Sequence, residues 1–283
     1  MGCAAGGAGR LRLGAARVTS MTDQRGRLAA IRDPAARDHA LPRYDDLAYR
    51  DVFWRERAYE DLADRIALRA LLPPTGERLL EVGAGFGRLV PEYRGWREIT
   101  LVDASEAHVA AAGEAFAVDR RIRVELADAY ELPFAASAFE ALVCVRVLHH
   151  IERPEAVFAE FARVLVPGGL LVLEFANKRN LKAVIRWYLR RQAWSPFDAS
   201  AHEYRPLHLS RHPAAMRRQL RAAGFRVEAS LTASLFRWPL LSRHVPATWL
   251  GALERPLQRP LAGLAPGPSV WLTARRAPGA RAA

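Results

Sequence analysis

The chain has 283 residues, 51% of them hydrophobic and 25% charged, with a formal net charge of +12. That is an ordinary globular composition, long enough for one domain carrying insertions. It excludes a collagen-like chain and a disulfide-stapled miniprotein, and no run of about 18 uninterrupted apolar residues offers a transmembrane segment.

Residues 1–40 are rich in Ala, Arg and Gly, and a poorly ordered tail is expected there. The first twenty residues lack acids and carry Arg10, Arg12 and Arg17. They lack the apolar core of a secretion signal, and a start at Met21 is the plain alternative to a targeting peptide. The two cysteines, Cys3 and Cys144, form neither a disulfide framework nor a metal-ligand spacing. A reducing, cytoplasmic setting and no metal are expected.

From Tyr44 to Leu72, apolar residues at three- and four-residue steps predict a helix, stopped by Pro73-Pro74. An alternation follows. RLLEVG (78–83) predicts a buried strand, and the segment after Gly87 a helix to about Tyr93. EITLVDAS (98–105) predicts a second strand, and 106–118 an alanine-rich helix. Strands three and four are expected at 121–128 and 139–148. An amphipathic helix at 154–165 ends at Pro167-Gly168-Gly169, and strand five spans 170–176. Strands alternating with helices predict an α/β fold with a mostly parallel, doubly wound sheet.

After strand five the rhythm breaks. A basic amphipathic helix is expected in NLKAVIRWYLRRQAW, then a polar lid loop in SPFDASAHEYRPLHLS. A helix at 212–225, a strand at 225–234 and a last strand at 268–276 complete the pass. Residues 41–283 then form one domain, with insertions at 176–210 and 235–267. The charge is uneven: residues 176–283 hold 19 Lys and Arg against 4 Asp and Glu, a balance of +15. The basic helix reads as a lid helix packed on the core or as a surface for anionic lipid or an acidic substrate, and the C-terminal excess as a whole raises a nucleic-acid reading.

The stretch LLEVGAGFGRL (79–89) places Gly83, Gly85 and Gly87 after the first strand. A dinucleotide fingerprint needs a third glycine where Arg88 stands, and no Gly-Lys-Ser/Thr follows, so both phosphate-binding loops fail. The turn still presents bare backbone to a ligand. Asp103 ends strand two, where a carboxylate can accept both hydroxyls of a ribose. Asp128 follows strand three, where an acid can accept from an adenine amine beside the small Ala129. The end of strand four, VRVLHH, lies at the mouth of such a sheet.

In this order the motifs LLEVGAGFGRL, LVDAS, ADAYELPF and the run from FEALVCVRVLHH to LVLE resemble the class I S-adenosylmethionine-dependent methyltransferases. The resemblance is to the small-molecule group around quinone-biosynthesis methyltransferases, and it covers about residues 75–176 closely. It implies a Rossmann-like seven-stranded sheet with the last strand antiparallel and S-adenosyl-L-methionine as cofactor. By position, Glu81, Gly83, Ala84, Gly85 and Gly87 would line the methionine part, Asp103 and Ala104 the ribose, Asp128 and Ala129 the adenine, and Val145 and Arg146 the cofactor's length. Arg146 departs from the small or polar residues usual there; it would pair with a carboxylate or face the substrate.

Candidates for acid–base work are His150 and His202. Neighbours on extended chain point opposite ways, so at most one of His149 and His150 is expected to face the site. Asp198, Glu203, Tyr204 and His208 share the lid stretch with His202. The expected activity is methyl transfer to a small molecule, on oxygen or carbon rather than nitrogen. The alternatives are a nucleic-acid methyltransferase and a non-catalytic cofactor-binding homologue. Nucleic acid is disfavoured because the C-terminal arginines are interleaved with prolines and tryptophans, and weak peripheral membrane contact stays open. The acceptor and the oligomeric state are not legible.

Overall fold

The computed structural model describes Trp54 and residues 57–205, 208–238, 241 and 244–278. The expected tail, the start at Met21 and the first part of the Tyr44–Leu72 helix lie outside the described residues. Helix α1 (Ala58–Leu71) is the described remainder of that helix.

The strands among the described residues are β1 (Thr75–Val82), β2 (Gly95–Asp103), β3 (Ile122–Leu126), β4 (Phe139–Cys144), β5 (Leu165–Ala176), β6 (His202–Arg205), β7 (His208–Ser210), β8 (Phe225–Ala233) and β9 (Ser269–Arg276). Between them run α2 (Glu106–Ala115), α3 (Pro154–Val164), α4 (Leu181–Tyr188), α5 (Pro213–Ala222) and α6 (Ala247–Glu254). Seven strands form one sheet in the order β3-β2-β1-β4-β5-β9-β8. β1 pairs in parallel with β2 and β4, and β9 runs antiparallel to both β5 and β8. The order reverses between β1 and β4, and ligands of open α/β sheets sit at such a reversal, beyond the carboxyl ends of the strands.

The central strands are buried on both faces because helices cover both. Leu80, Leu142 and Leu171 turn to the side packed by Phe158, Phe161, Met216 and Leu220 of α3 and α5. Leu79, Ala141 and Val172 turn to the side of Ala67 and Leu68 of α1, Tyr93 and Trp96. The two-residue period of a strand places Glu81 on the second side, with Leu79. The edge strands β3 and β8 are less buried, as the alternating polar residues of RVEL and FRVEAS require.

Three local expectations are corrected. The segment after Gly87 is a run of turns with one 3-10 turn, Val90–Glu92, rather than an α-helix to Tyr93. Only seven residues separate Gly87 from the start of β2, and Pro91 removes a donor, so two α-helical turns do not form. Pro167-Gly168-Gly169 lies inside an irregular start of β5, where the register with β4 shifts and Gly168 takes φ +78. The polar stretch after α4 is not all loop: β6 and β7 pair as a small antiparallel hairpin.

The insertions are held by buried polar groups. Glu254 of α6 accepts the Tyr59 hydroxyl, Ser234 N at 2.6 Å, Leu235 N at 3.2 Å and Gln258 Nε2 at 3.0 Å. Lys178, after β5, has its ammonium on Asp198 Oδ1 at 2.5 Å and on the Ser200 carbonyl at 2.9 Å. These contacts supply the specificity that loop backbone cannot satisfy by itself.

Candidate active site

The glycine bend shows three separate uses of one residue type. All three glycines hold φ between +57 and +80, where a side chain is strained. A Cβ on Gly83 would lie 2.0 Å from Val147 Cγ2, and one on Gly87 would lie 2.2 Å from Phe116 Cε2. Those two are closed by protein packing. A Cβ on Gly85 would meet no described atom within 4 Å, so the bend is bare and unpacked at this glycine. Gly83 N and Ala84 N both donate to the Val102 carbonyl, at 2.8 and 3.0 Å, which fastens the bend to β2.

Asp103 couples two elements. Its Oδ2 accepts the Gly85 amide at 2.7 Å and its Oδ1 accepts the Ser105 amide at 2.9 Å. Ser105 in turn caps α2, accepting from His108 N at 3.3 Å. Asp128 closes a turn, Oδ1 accepting Tyr130 N at 2.9 Å, beside the buried Ala129. Ala104 is exposed next to Asp103, and Ala84 and Val145 are buried in the core on the α1 side. The Val145 side chain is therefore spent on the core.

Glu81 is buried, and its Oε2 has no hydrogen-bond partner among the described residues. Burial pushes its carboxyl up to about 8, and nearby Tyr93 and Arg88 offset that only in part. The buried Tyr93 hydroxyl is the donor beside it, and ionising a carboxyl buried this deeply is costly unless a cation also meets it. At the end of β5, Glu174 is also buried and raised by its burial. Its Oε2 accepts the Arg146 amide at 2.9 Å and its Oε1 accepts from Ser269.

Arg146 pairs with a carboxylate, the first of its two expected roles. It sits at φ +60 and reaches across to Asp64 of α1, Nε to Oδ2 at 2.8 Å and Nη2 to Oδ1 at 3.2 Å. Arg88 meets the same carboxylate at 3.1 Å and Asp61 at 2.5 Å. Its guanidinium lies 3.9 Å from the centre of the Trp54 ring. Helix α1 is thus clamped over the mouth of the sheet by the two arginines that follow β1 and β4. Asp61 and Asp64 were not singled out in the sequence; their only signal is a three-residue spacing on the polar side of a helix.

The histidines are arranged differently from the expectation. Leu148–His150 is a 3-10 turn, not extended chain, so His149 and His150 lie side by side with ring centres 3.8 Å apart. His208 joins them. His202 stacks on Trp194 at 4.0 Å, away from that group. Asp198 is taken by Lys178, whose ammonium holds its carboxyl down at about 2.

A mostly parallel seven-stranded sheet with one antiparallel strand, a glycine bend lacking the third glycine of the pyrophosphate fingerprint, and acids at the ends of β1 and β2 define an α/β protein of the doubly wound, Rossmann-like class. The methyltransferase domain family matches residues 80–173. The chain is 32% identical over 236 residues to a demethylmenaquinone methyltransferase of Thermus thermophilus, covering 76% of this chain and 97% of that one. It is 36% identical over 124 residues to 27-O-demethylrifamycin SV methyltransferase of Amycolatopsis mediterranei, where the match spans only 45% of the relative's length. A solved S-adenosylmethionine-dependent methyltransferase from Thermotoga maritima shares the fold at TM-score 0.58 and 21% identity, over 81% of this chain and 96% of that one. The chain belongs to the S-adenosylmethionine-dependent methyltransferases. It is an enzyme of that class, with S-adenosylmethionine as its cofactor and the Rossmann-like fold that the sequence motifs implied.

The donor set fits this cofactor, whose charged centres are an ammonium, a carboxylate and a sulfonium. The buried Glu81 carboxyl and the open space at Gly85 suit a cationic, phosphate-free ligand. No helix among the described residues is long and apolar enough to cross a membrane.

Proposed function

We propose that the enzyme transfers the methyl group to an oxygen or carbon of a small, apolar acceptor that enters between the turn after β4 and the two insertions. The cofactor supplies an electrophilic methyl group on a sulfonium. Asp103 holds the ribose, Asp128 with Ala129 meets the adenine, and Glu81 with the bend at Gly83, Gly85 and Gly87 receives the methionine part. Methyl transfer is an in-line displacement, so alignment and exclusion of water are the main demands on the protein. His150 stands in the turn at the strand-four mouth, on the acceptor's side, and His202 stacks on Trp194 in the lid stretch.

The observation that carries the apolar acceptor is the surface of the insertions. Leu181, Ile185 and Tyr188 of α4 are exposed, as are Phe197 and Trp238. Tyr188 packs on Phe197 at 6.2 Å, and the Lys182 ammonium lies 4.4 Å from the centre of the Trp238 ring. Basic and apolar side chains interleaved in this way suit an apolar acceptor presented at an anionic lipid surface. Several C-terminal basic groups also have internal duties. Arg276 and Arg211 donate to the Leu165 and Ile151 carbonyls, and Arg259 to the Ala70 carbonyl at 3.1 Å. That speaks against a continuous track for nucleic acid.

The test is transfer of labelled methyl from S-adenosylmethionine to a panel of quinols, phenols, carboxylates and RNA. The expected result is label on a quinol or phenol, with sedimentation of the protein on phosphatidylglycerol vesicles. Label on RNA alone, or cofactor binding with no transfer to any acceptor, would sink this reading.

A further inference from the structure

Three imidazoles converge where β4 ends. His149 and His150 come from the 3-10 turn Leu148–His150, and His208 opens β7 of the hairpin. Ring centres are 3.8 Å apart for His149 and His150, 4.7 Å for His150 and His208, and 5.2 Å for His149 and His208. Taking one nitrogen from each, the three lie within 4.8 Å of one another. In a tetrahedral zinc site each nitrogen sits about 2.0–2.1 Å from the metal, which sets the nitrogens roughly 3.4 Å apart. Rotation of the rings and a small movement of the hairpin close the remaining gap. All three residues are partly buried.

We propose that His149, His150 and His208 form a binding site for one divalent transition-metal ion of the zinc class. Imidazole donors select zinc, cobalt, nickel or copper over magnesium or calcium. Three protein ligands with a fourth position open is the donor set of catalytic zinc, whereas structural zinc takes four. The hairpin ligand also gives the ion a second effect, since binding would tie the lid to the end of β4.

The role of the ion rests on the methyl-transfer reading; its binding does not. The open position accepts a hydroxyl oxygen of the acceptor and draws charge from it, so that the hydroxyl proton leaves to water. The oxygen then forms its bond to the methyl carbon as the carbon–sulfur bond breaks. The bonding pair stays on sulfur, which ends as a neutral thioether, so no oxidant or reductant is needed.

The test uses untagged, full-length protein stripped of metal and titrated with Co2+. The expected result is one Co2+ per chain, with the intense visible bands of a four- or five-coordinate site, displaced by Zn2+. His208→Ala and His150→Ala should each weaken Co2+ binding by at least about 100-fold, because loss of a supporting group alone costs about 10–100-fold. His208→Gln, measured alongside with circular dichroism, separates ligand loss from misfolding. The dissociation constant for S-adenosylmethionine is measured on each protein, so failure of the metal site and failure of the cofactor site read out separately. Weak octahedral bands in the parent protein, or unchanged Co2+ binding in folded His208→Ala, would overturn the proposal.

Discussion

The Gly85 amide donates to Asp103 Oδ2 at 2.7 Å, so the glycine bend and the acid at the end of β2 form one unit before any ligand arrives. Each oxygen of Asp103 already accepts one backbone amide. Each keeps further lone-pair capacity, enough for two ribose hydroxyls. Asp103→Ala should therefore weaken S-adenosylmethionine binding by at least about tenfold, from loss of charge-assisted bonds of about 1.5–3 kcal/mol each. Calorimetric titration is the check, and an unchanged dissociation constant would remove the ribose assignment.

The glycines should separate in their effects. Gly87→Ala drives a Cβ to 2.2 Å from Phe116 and should cost about 1–3 kcal/mol of stability. Gly85→Val meets open space, so its folding cost is the left-handed strain alone, about 1–2 kcal/mol. Its cofactor affinity should nonetheless fall at least about tenfold, because the side chain fills the ligand's approach. Melting temperatures paired with binding constants decide this; equal affinity in the parent and Gly85→Val would refute it.

Glu81 should report cofactor binding as a proton. Its carboxyl is raised by burial from 4.5 to about 8, so it is protonated in the free enzyme at pH 7. A cation held beside it favours the charged form, so binding at pH 7 should release up to one proton. The sign for stability follows from a raised folded-state pKa. The contribution of Glu81 is complete below about pH 4.5 and is lost as pH rises through about 8. Titration in two buffers of different ionisation enthalpy measures the release. Glu81→Gln should abolish it, and no buffer dependence in the parent enzyme would contradict the assignment.

Asp64 is fully buried and shared by Arg88 and Arg146. Asp64→Ala removes a buried carboxylate from Arg146 and from Arg88, which keeps Asp61, and should cost about 3 kcal/mol. Denaturant unfolding is the measurement. A loss below about 1 kcal/mol would mean that α1 is not clamped through this residue.

Lys178 is buried with its ammonium on Asp198 and Ser200. Lys178→Met should release the 195–201 segment, seen as faster amide exchange there, with little change in cofactor affinity. Unaltered exchange would show that the segment is ordered by other contacts.

The sequence by itself determined the sheet. Near-continuous apolar runs at 78–83, 139–148 and 170–176, bounded by turn residues, read as strands buried on both faces, and each holds a central strand, though the second run leaves the sheet after Cys144 and ends in a 3-10 turn. It also placed the glycine bend after β1 and Asp103 at the end of β2, because backbone freedom and position at a strand end are written in residue type and spacing. Tertiary structure decided what depends on pairs far apart in the chain. Asp64 meets Arg146 across 82 positions, and Tyr59 meets Glu254 across 195. No periodicity encodes such contacts, since a charged residue on a helix reads the same whether it faces solvent or a buried arginine. The histidine cluster shows the same limit. The side-by-side placement of His149 and His150 came from a 3-10 turn, and the arrival of His208 from a three-residue strand too short to leave a pattern.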